Sequence, residues 1–120
     1  MLQDLQFLSR LASPKKALNI AKNVTSNRIS RTSSRYTVWG KTYTKNIETT
    51  THCNLRCPQC PVGLQTLLRP QGYMTFDDYR IIIDEIADHT VLLLLFFQGE
   101  SFINPDIIRM INYAWEKGIF

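Results

Sequence analysis

Three cysteines fall within eight residues, Cys53-Asn-Leu-Arg-Cys57-Pro-Gln-Cys60, with the spacing C-x3-C-x2-C. Thiolates are the ligands that zinc and iron–sulfur clusters accept best, and gaps of three and two residues let one short loop wrap a single centre. A closed structural zinc site takes four ligands, as does a cubane cluster held by protein alone. The sequence has three cysteines in all. His52 is a poor fourth ligand, because adjacent side chains on an extended segment point apart, and His89 has no motif around it. Three ligands without an evident fourth imply an open coordination position, the condition for a metal centre that binds a substrate. The alternatives are a closed zinc site using His52, His89 or a carboxylate, an electron-transfer cluster short of a ligand, and unrelated free thiols. Pro58 and Pro61 interleave the cysteines in a loop that directly follows a strand-like segment, which argues against coincidence.

The elements on either side must position this loop. Asn46–Thr51 is rich in β-branched residues and reads as a strand. Thr75 is an expected N-cap, with Asp78 three residues on, and Tyr79, Ile82, Ile83 and Ile86 supply one apolar face of a helix over Thr75–His89. Val91–Phe97 is a continuous apolar run, the pattern of a parallel strand buried on both faces. Asn104 and Pro105 open a further helix, with Pro at its first position, Ile108, Ile111 and Trp115 on one side, and Gly118 ending it. Ile119-Phe120 begin a third strand. The order β–loop–α–β–loop–α–(β) predicts an α/β fold, the N-terminal βαβα portion of a partial parallel (β/α) barrel over residues 45–120, truncated before completion. The cysteine loop then lies at the C-terminal end of the first strand, where such folds hold their active sites. Arg69 and Gly72-Tyr73-Met74, between the cysteines and the helix, are expected to cover the site.

Residues 1–44 form a basic extension, helical in part. Leu2, Leu5, Leu8 and Leu11 recur at helical spacing, and Pro14 interrupts the pattern. A weaker helical stretch is expected from Lys15 to about Asn27, using Leu18, Ile20, Ala21 and Val24, then a connector with an extended piece at Tyr36–Trp39. Residues 1–45 carry nine Lys/Arg against the single acid Asp4, giving +8, whereas residues 46–120 carry five bases and nine acids, giving −4. The basic segment is expected to be a solvated face plus a helix packed on the barrel's outer wall. No RNA-binding signature accompanies Tyr36, Trp39 and Tyr43, so nucleic acid is not an expected partner. Three clustered thiols make no evenly paired disulfide framework and suit a reducing, cytoplasmic compartment. The Arg- and Ser-rich, acid-free stretch 5–45 also has the composition of an organelle transit peptide. Val91–Phe97, the longest apolar run, is far short of the ~20 residues that span a bilayer.

Thr50-Thr-His-Cys-Asn-Leu-Arg-Cys-Pro-Gln-Cys-Pro61 resembles the cluster loop of the radical S-adenosylmethionine superfamily. A second match follows the second strand, where Gln98-Gly99-Glu100-Ser101 resembles the Gly-Gly-Glu-Pro motif that holds the methionyl ammonium of the cofactor. The resemblance implies that Cys53, Cys57 and Cys60 bind a 4Fe–4S cluster and that S-adenosyl-L-methionine completes the fourth iron. It further implies an oxidoreductase in which an electron from a flavodoxin- or ferredoxin-like donor releases a 5′-deoxyadenosyl radical that abstracts hydrogen from substrate. The protein's share is to place the cofactor and exclude quenchers, so no acid–base or nucleophilic catalytic residue is expected. Gln59 stands where the family usually has an aromatic residue, Gln98 replaces the first glycine of the second motif, and Ser101 replaces its proline. Phe97-Gln-Gly-Glu together with Cys-Pro-x-Cys-Pro is similar to members bearing a C-terminal SPASM domain, which implies a peptide or protein substrate. The other readings are a small zinc- or cluster-stabilised binding module and an inactive truncated piece.

Overall fold

The computed structural model describes residues 13–120; the helix expected from Leu2 to Leu11 lies outside the described residues. The order is α1 (Pro14–Ser33), β1 (Thr44–Asn46), α2 (Phe76–Ile86), β2 (Leu92–Leu94), a 3-10 turn (Ser101–Ile103) and α3 (Ile107–Glu116). β1 and β2 pair in parallel, with Thr44 opposite Leu92 and Asn46 opposite Leu94. Phe120 lies along the other edge of β2: its N–H donates to the Val91 carbonyl (2.8 Å) and its carbonyl accepts from the Leu93 N–H (2.7 Å). The molecule is therefore mixed α/β, with parallel strands joined through a helix, as the apolar patterning predicts.

The regular strands are shorter than the sequence suggests. Only Leu92–Leu94 of the Val91–Phe97 run is strand, Leu93 is buried, and Phe96 and Phe97 are 58% and 67% exposed. One face of this strand packs on the helices, while the other is only partly covered by the described residues, so burial on both faces is not seen. β1 likewise spans Thr44–Asn46 instead of Asn46–Thr51; residues 47–51 run on without a continuous ladder. Ile47, Tyr79, Ile83, Leu93, Met110, Ala114 and Ile119 form one core cluster. α2 starts as predicted: the Thr75 Oγ1 accepts from the Asp78 N–H (3.1 Å) and donates to its carboxylate (2.6 Å). It ends at Ile86, three residues before His89.

α3 is offset from expectation. Asn104 Oδ1 accepts from the Asp106 N–H (2.9 Å), which places Pro105 in a turn ahead of the helix rather than at its first position. The buried stripe is accordingly Ile107, Met110 and Ala114, and Ile108, Ile111 and Trp115 form the neighbouring, more exposed stripe. Gly118, at φ 70°, closes α3 in the left-handed conformation that glycine adopts freely.

α1 is longer than predicted and docks differently. Ser13 caps it, accepting from the Lys16 N–H (3.3 Å), and Pro14 stands at its first position, where its fixed φ suits a helix start. No strand forms at Tyr36–Trp39; the helix continues to Ser33, and its inward face is polar. Lys16, Asn19 and Ser26 are buried, while Leu18 and Val24 are exposed. Lys16 Nζ donates to the Gly118 carbonyl (2.6 Å), and Asn19 Nδ2 donates to the carbonyls of Lys41 (2.8 Å) and His89 (3.3 Å). The Lys41 N–H returns a bond to Asn19 Oδ1 (2.7 Å). Those three partners precede β1, β2 and Phe120, so α1 closes the N-terminal end of the sheet rather than its outer wall. A surface of turn carbonyls calls for donors, which explains why the apolar side of α1 faces outward. Burial lowers the pKa of the Lys16 ammonium, with the Asp88 carboxylate opposing. Among the described residues no helix is long and apolar enough to cross a membrane.

If Asn19 is the main tie between α1 and the sheet, Asn19→Ala lowers stability by about 1 kcal/mol, because the buried side chain's bonds to the Lys41 N–H and to the Lys41 and His89 carbonyls are lost while Asn23 still donates to Lys41. Urea unfolding of the two proteins measures the difference.

Candidate functional site

The segment that leads into Cys53 is held on both edges. On one side, Thr51 N–H donates to the Gly72 carbonyl (3.0 Å) and Met74 N–H donates to the Thr49 carbonyl (2.9 Å), which makes an antiparallel bridge between Thr50 and Tyr73. On the other, Glu100 N–H donates to the His52 carbonyl (2.8 Å). Successive peptide groups of an extended chain point to opposite edges, so residues 49 and 51 serve the 72–74 segment while 50 and 52 meet the 99–100 turn. Gly99 lies against this segment. A Cβ there would sit 2.0 Å from the Thr50 oxygen and 3.0 Å from the His52 oxygen, so no other residue fits without movement. The fully buried Asn104 completes the arrangement, its Nδ2 donating to the carbonyls of Thr49 (2.7 Å) and Met74 (3.2 Å).

This packing brings the two sequence motifs together. Gly99 and Glu100 lie beside the residue that precedes Cys53, although 46 positions separate Cys53 from Gly99 in the chain. Glu100 Oε1 accepts from the Phe102 N–H (3.2 Å), and Ser101 Oγ donates to the Leu95 carbonyl. A cavity of about 240 Å³ opens next to the turn, lined by Leu95, Phe96, Gly99, Glu100, Phe102 and Ile111 among others.

The cysteine loop is a run of turns. Cys60 N–H donates to the Cys57 carbonyl (3.2 Å) and Leu64 N–H to the Cys60 carbonyl (2.9 Å). Gly63 closes on Cys57, where a Cβ would lie 2.5 Å from both the backbone N and O. All three thiols are free, Cys57 exposed and Cys53 and Cys60 half-buried. The Leu55 N–H points to Cys53 Sγ (3.4 Å). Among the described residues no three His, Cys, Asp or Glu side chains converge as a formed ligand set. The donor chemistry nonetheless suits a thiophilic centre: three soft ligands on one accessible loop, one of them already receiving a backbone N–H. Neither histidine completes it. His52 stacks on Tyr73 (ring centroids 4.4 Å apart), and His89 lies before β2, at the opposite end of the sheet from the loop. Arg56 is exposed.

Glu48 and Asn104 were not evident from the sequence as parts of this site. Glu48 is the lone carboxylate in the stretch of Thr and Ile before the loop, and that isolation is the signal available in advance. Its Oε1 accepts from Arg69 (2.6 Å) and from the Gln98 N–H (3.2 Å), and its Oε2 lies 2.5 Å from the same guanidinium. Burial opposes ionisation of Glu48, but the Arg69 guanidinium and the N–H groups of Gln98 and Gly99 outweigh it and hold the carboxyl below the usual range. Arg69 thus ties the segment after the cysteine loop to Glu48, just beyond β1, and 72–74 is the part of that segment that bridges to Thr50.

Two outcomes follow. Gly99→Ala costs about 1–3 kcal/mol through forced displacement of the Thr50 carbonyl, whereas Gly72→Ala, which meets nothing within 4 Å, changes stability by less than about 0.5 kcal/mol. Both are read from urea midpoints. The stability that Glu48 gains from its depressed pKa is complete above its unfolded-state value, near 4.5, and disappears as pH falls through the lower folded-state value. The gap in unfolding midpoint between wild type and Glu48→Gln therefore closes on acidification.

Three known proteins share sequence with this chain. It is 33% identical over 72 residues to the AdoMet-dependent heme synthase of Methanosarcina barkeri, covering 60% of this chain and 20% of that protein. It is 30% identical to the PqqA peptide cyclases of Rhodopseudomonas palustris and Bradyrhizobium diazoefficiens, over 74 and 76 residues, covering 62% of this chain and 19% of each. No family model matches, and no solved structure matches. The chain spans about a fifth of the length of the relatives it matches. A contiguous match of 72 residues in a chain of 120 starts no later than residue 49 and ends no earlier than 72, so it includes the cysteine loop. The shared stretch thus holds the cysteine loop, and the three relatives are members of the radical S-adenosylmethionine family.

Proposed function

We propose that this chain is the cofactor-binding part of a radical S-adenosylmethionine oxidoreductase, built as the first βαβα portion of a parallel (β/α) barrel. Cys53, Cys57 and Cys60 would hold a 4Fe–4S cluster through three irons, and Gln98–Ser101 would take the methionyl ammonium of S-adenosylmethionine, with Glu100 supplying the carboxylate. When bound, the cluster supplies the single electron that cleaves the cofactor's sulfonium. The chain's own residues have other tasks. The 49–52 segment fixes the entrance of the cysteine loop, Gly99 lets the turn approach it closely, and Glu100 offers a negative group to a cation. The observation that carries the reading is the seating of Gly99 and Glu100 on Thr50 and His52, which sets the second motif beside the first.

The barrel assignment is supported by Phe120 pairing on the edge of β2 away from β1, the order in which a parallel barrel grows. The electron would come from a flavodoxin- or ferredoxin-like donor in a reducing, cytoplasmic setting, where free thiols persist. A peptide substrate is favoured by the likeness to PqqA peptide cyclases and by the resemblance to SPASM-bearing members. Residues 1–44 would be a basic extension, its α1 docked on the barrel portion of 45–120.

Anaerobic reconstitution with iron and sulfide is expected to give a brown protein absorbing near ~400 nm with about four irons per chain. Cys53→Ala, Cys57→Ala and Cys60→Ala each lose most of that iron. Addition of S-adenosylmethionine then changes the electron paramagnetic resonance spectrum of the reduced cluster. A protein that takes up one zinc and no iron, or a Cys57→Ala variant that holds as much iron as wild type, overturns the proposal.

A further inference from the structure

Three segments far apart in the chain meet at one carboxylate. Glu48 lies just after β1, Arg69 in the cover that follows the cysteine loop, and Gln98 at the start of the Gly-Glu turn. The Arg69 guanidinium clasps both oxygens of Glu48, and its Nη2 also donates to Gln98 Oε1 (3.1 Å). Gln98 answers through its backbone, whose N–H donates to Glu48 Oε1 (3.2 Å). The contacts close a ring, Glu48–Arg69–Gln98–Glu48. A planar guanidinium that meets a carboxylate through two nitrogens is fixed in orientation as well as in distance. The Glu48 side chain is only 17% exposed, so solvent competes weakly for it.

The ring also gives a reason for an unusual residue. Gln98 stands where the resembling motif has glycine, and a glycine has no side-chain acceptor for Arg69. Glu48 contacts both the cover, through the Arg69 guanidinium, and the turn, through the Gln98 N–H. Displacing its carboxylate would release the Gln98 N–H and leave Arg69 only its bond to Gln98 Oε1, so the near side of the turn would rest on the Glu100 and Gly99 contacts to Thr50 and His52.

Resting on the function proposed above, we propose that Glu48 is a positioning residue, whose carboxylate uses Arg69 and Gln98 to latch the cover and the Gln98–Glu100 turn into one arrangement for the cofactor. Its contacts are to Arg69 and Gln98 and not to the cysteines. It acts through the turn that carries Glu100.

The test uses the full chain and the variants Glu48→Gln, Arg69→Met and Gln98→Gly. Amide hydrogen exchange is followed by mass spectrometry, and S-adenosylmethionine affinity is measured by equilibrium dialysis after reconstitution. Glu48→Gln is expected to exchange at least about 10-fold faster over 65–72 and 98–100, with α2 and α3 unchanged, as local opening predicts. Its iron content stays at the wild-type level, and its affinity for S-adenosylmethionine falls about 10-fold. Arg69→Met reproduces the effect on both segments, and Gln98→Gly reproduces it on 65–72. Exchange and affinity within twofold of wild type in Glu48→Gln and Arg69→Met overturn the latch. Uniform acceleration that includes α2 and α3 overturns it too, since that is general loss of stability. If the wild-type chain takes up neither iron nor S-adenosylmethionine, the proposed function fails, while the exchange measurements still decide whether the latch exists.

Discussion

The arrangement depends on one close approach, that of the Gly99 backbone to the carbonyls of Thr50 and His52. Strands of three residues hold little register of their own, and the ladder between β1 and β2 ends near Leu94. Beyond it, the two chains stay together because a residue without a side chain lets them touch, and because the Glu100 N–H finds the His52 carbonyl. Everything that faces the cysteine loop is referred to that contact. Asn104 fixes the far side of the turn to Thr49, and Glu48 fixes its near side to the cover. Backbone carbonyls, oriented by the extended segment before Cys53, thus set the position of the second motif.

The opposite end of the sheet is organised by the same type of group with a different solution. There the carbonyls of Lys41, His89 and Gly118 come from turns between helices and strands, and side-chain donors of α1 satisfy them. A buried lysine and a buried asparagine are costly unless each finds its acceptor, and these do. The helix therefore specifies its docking site through geometry rather than through burial of apolar area, leaving Leu18 and Val24 to solvent. Its strong positive charge is carried mainly by the outward face.

The cysteine motif, the α2 cap at Thr75, the alternation of strands and helices and the Gly118 terminator were all legible, because each rests on local chemistry or on short spacing. The same holds for the resemblance of residues 98–101, which the packing of Gly99 makes physically sensible. What was not legible depended on partners remote in sequence. The inward face of α1 was misread because apolar periodicity assumes an apolar neighbour, whereas the neighbour is a set of carbonyls. The stripe of α3 was misplaced by one residue because Asn104 caps a turn around Pro105 and delays the helix. The links that Glu48 and Asn104 make carry no sequence period, and they exist only once the segments they join are folded together.

The two-sided pairing of residues 49–52 also bears on how this chain behaves beside copies of itself. An unpaired strand next to three free thiols would invite edge-to-edge association, and the thiols could then make that contact permanent by oxidation. Here the 72–74 segment occupies one edge of that stretch and the 99–100 turn occupies the other. Both edges of the backbone nearest the cysteines are thus occupied by the chain itself, which leaves a neighbouring chain little room there to add a strand.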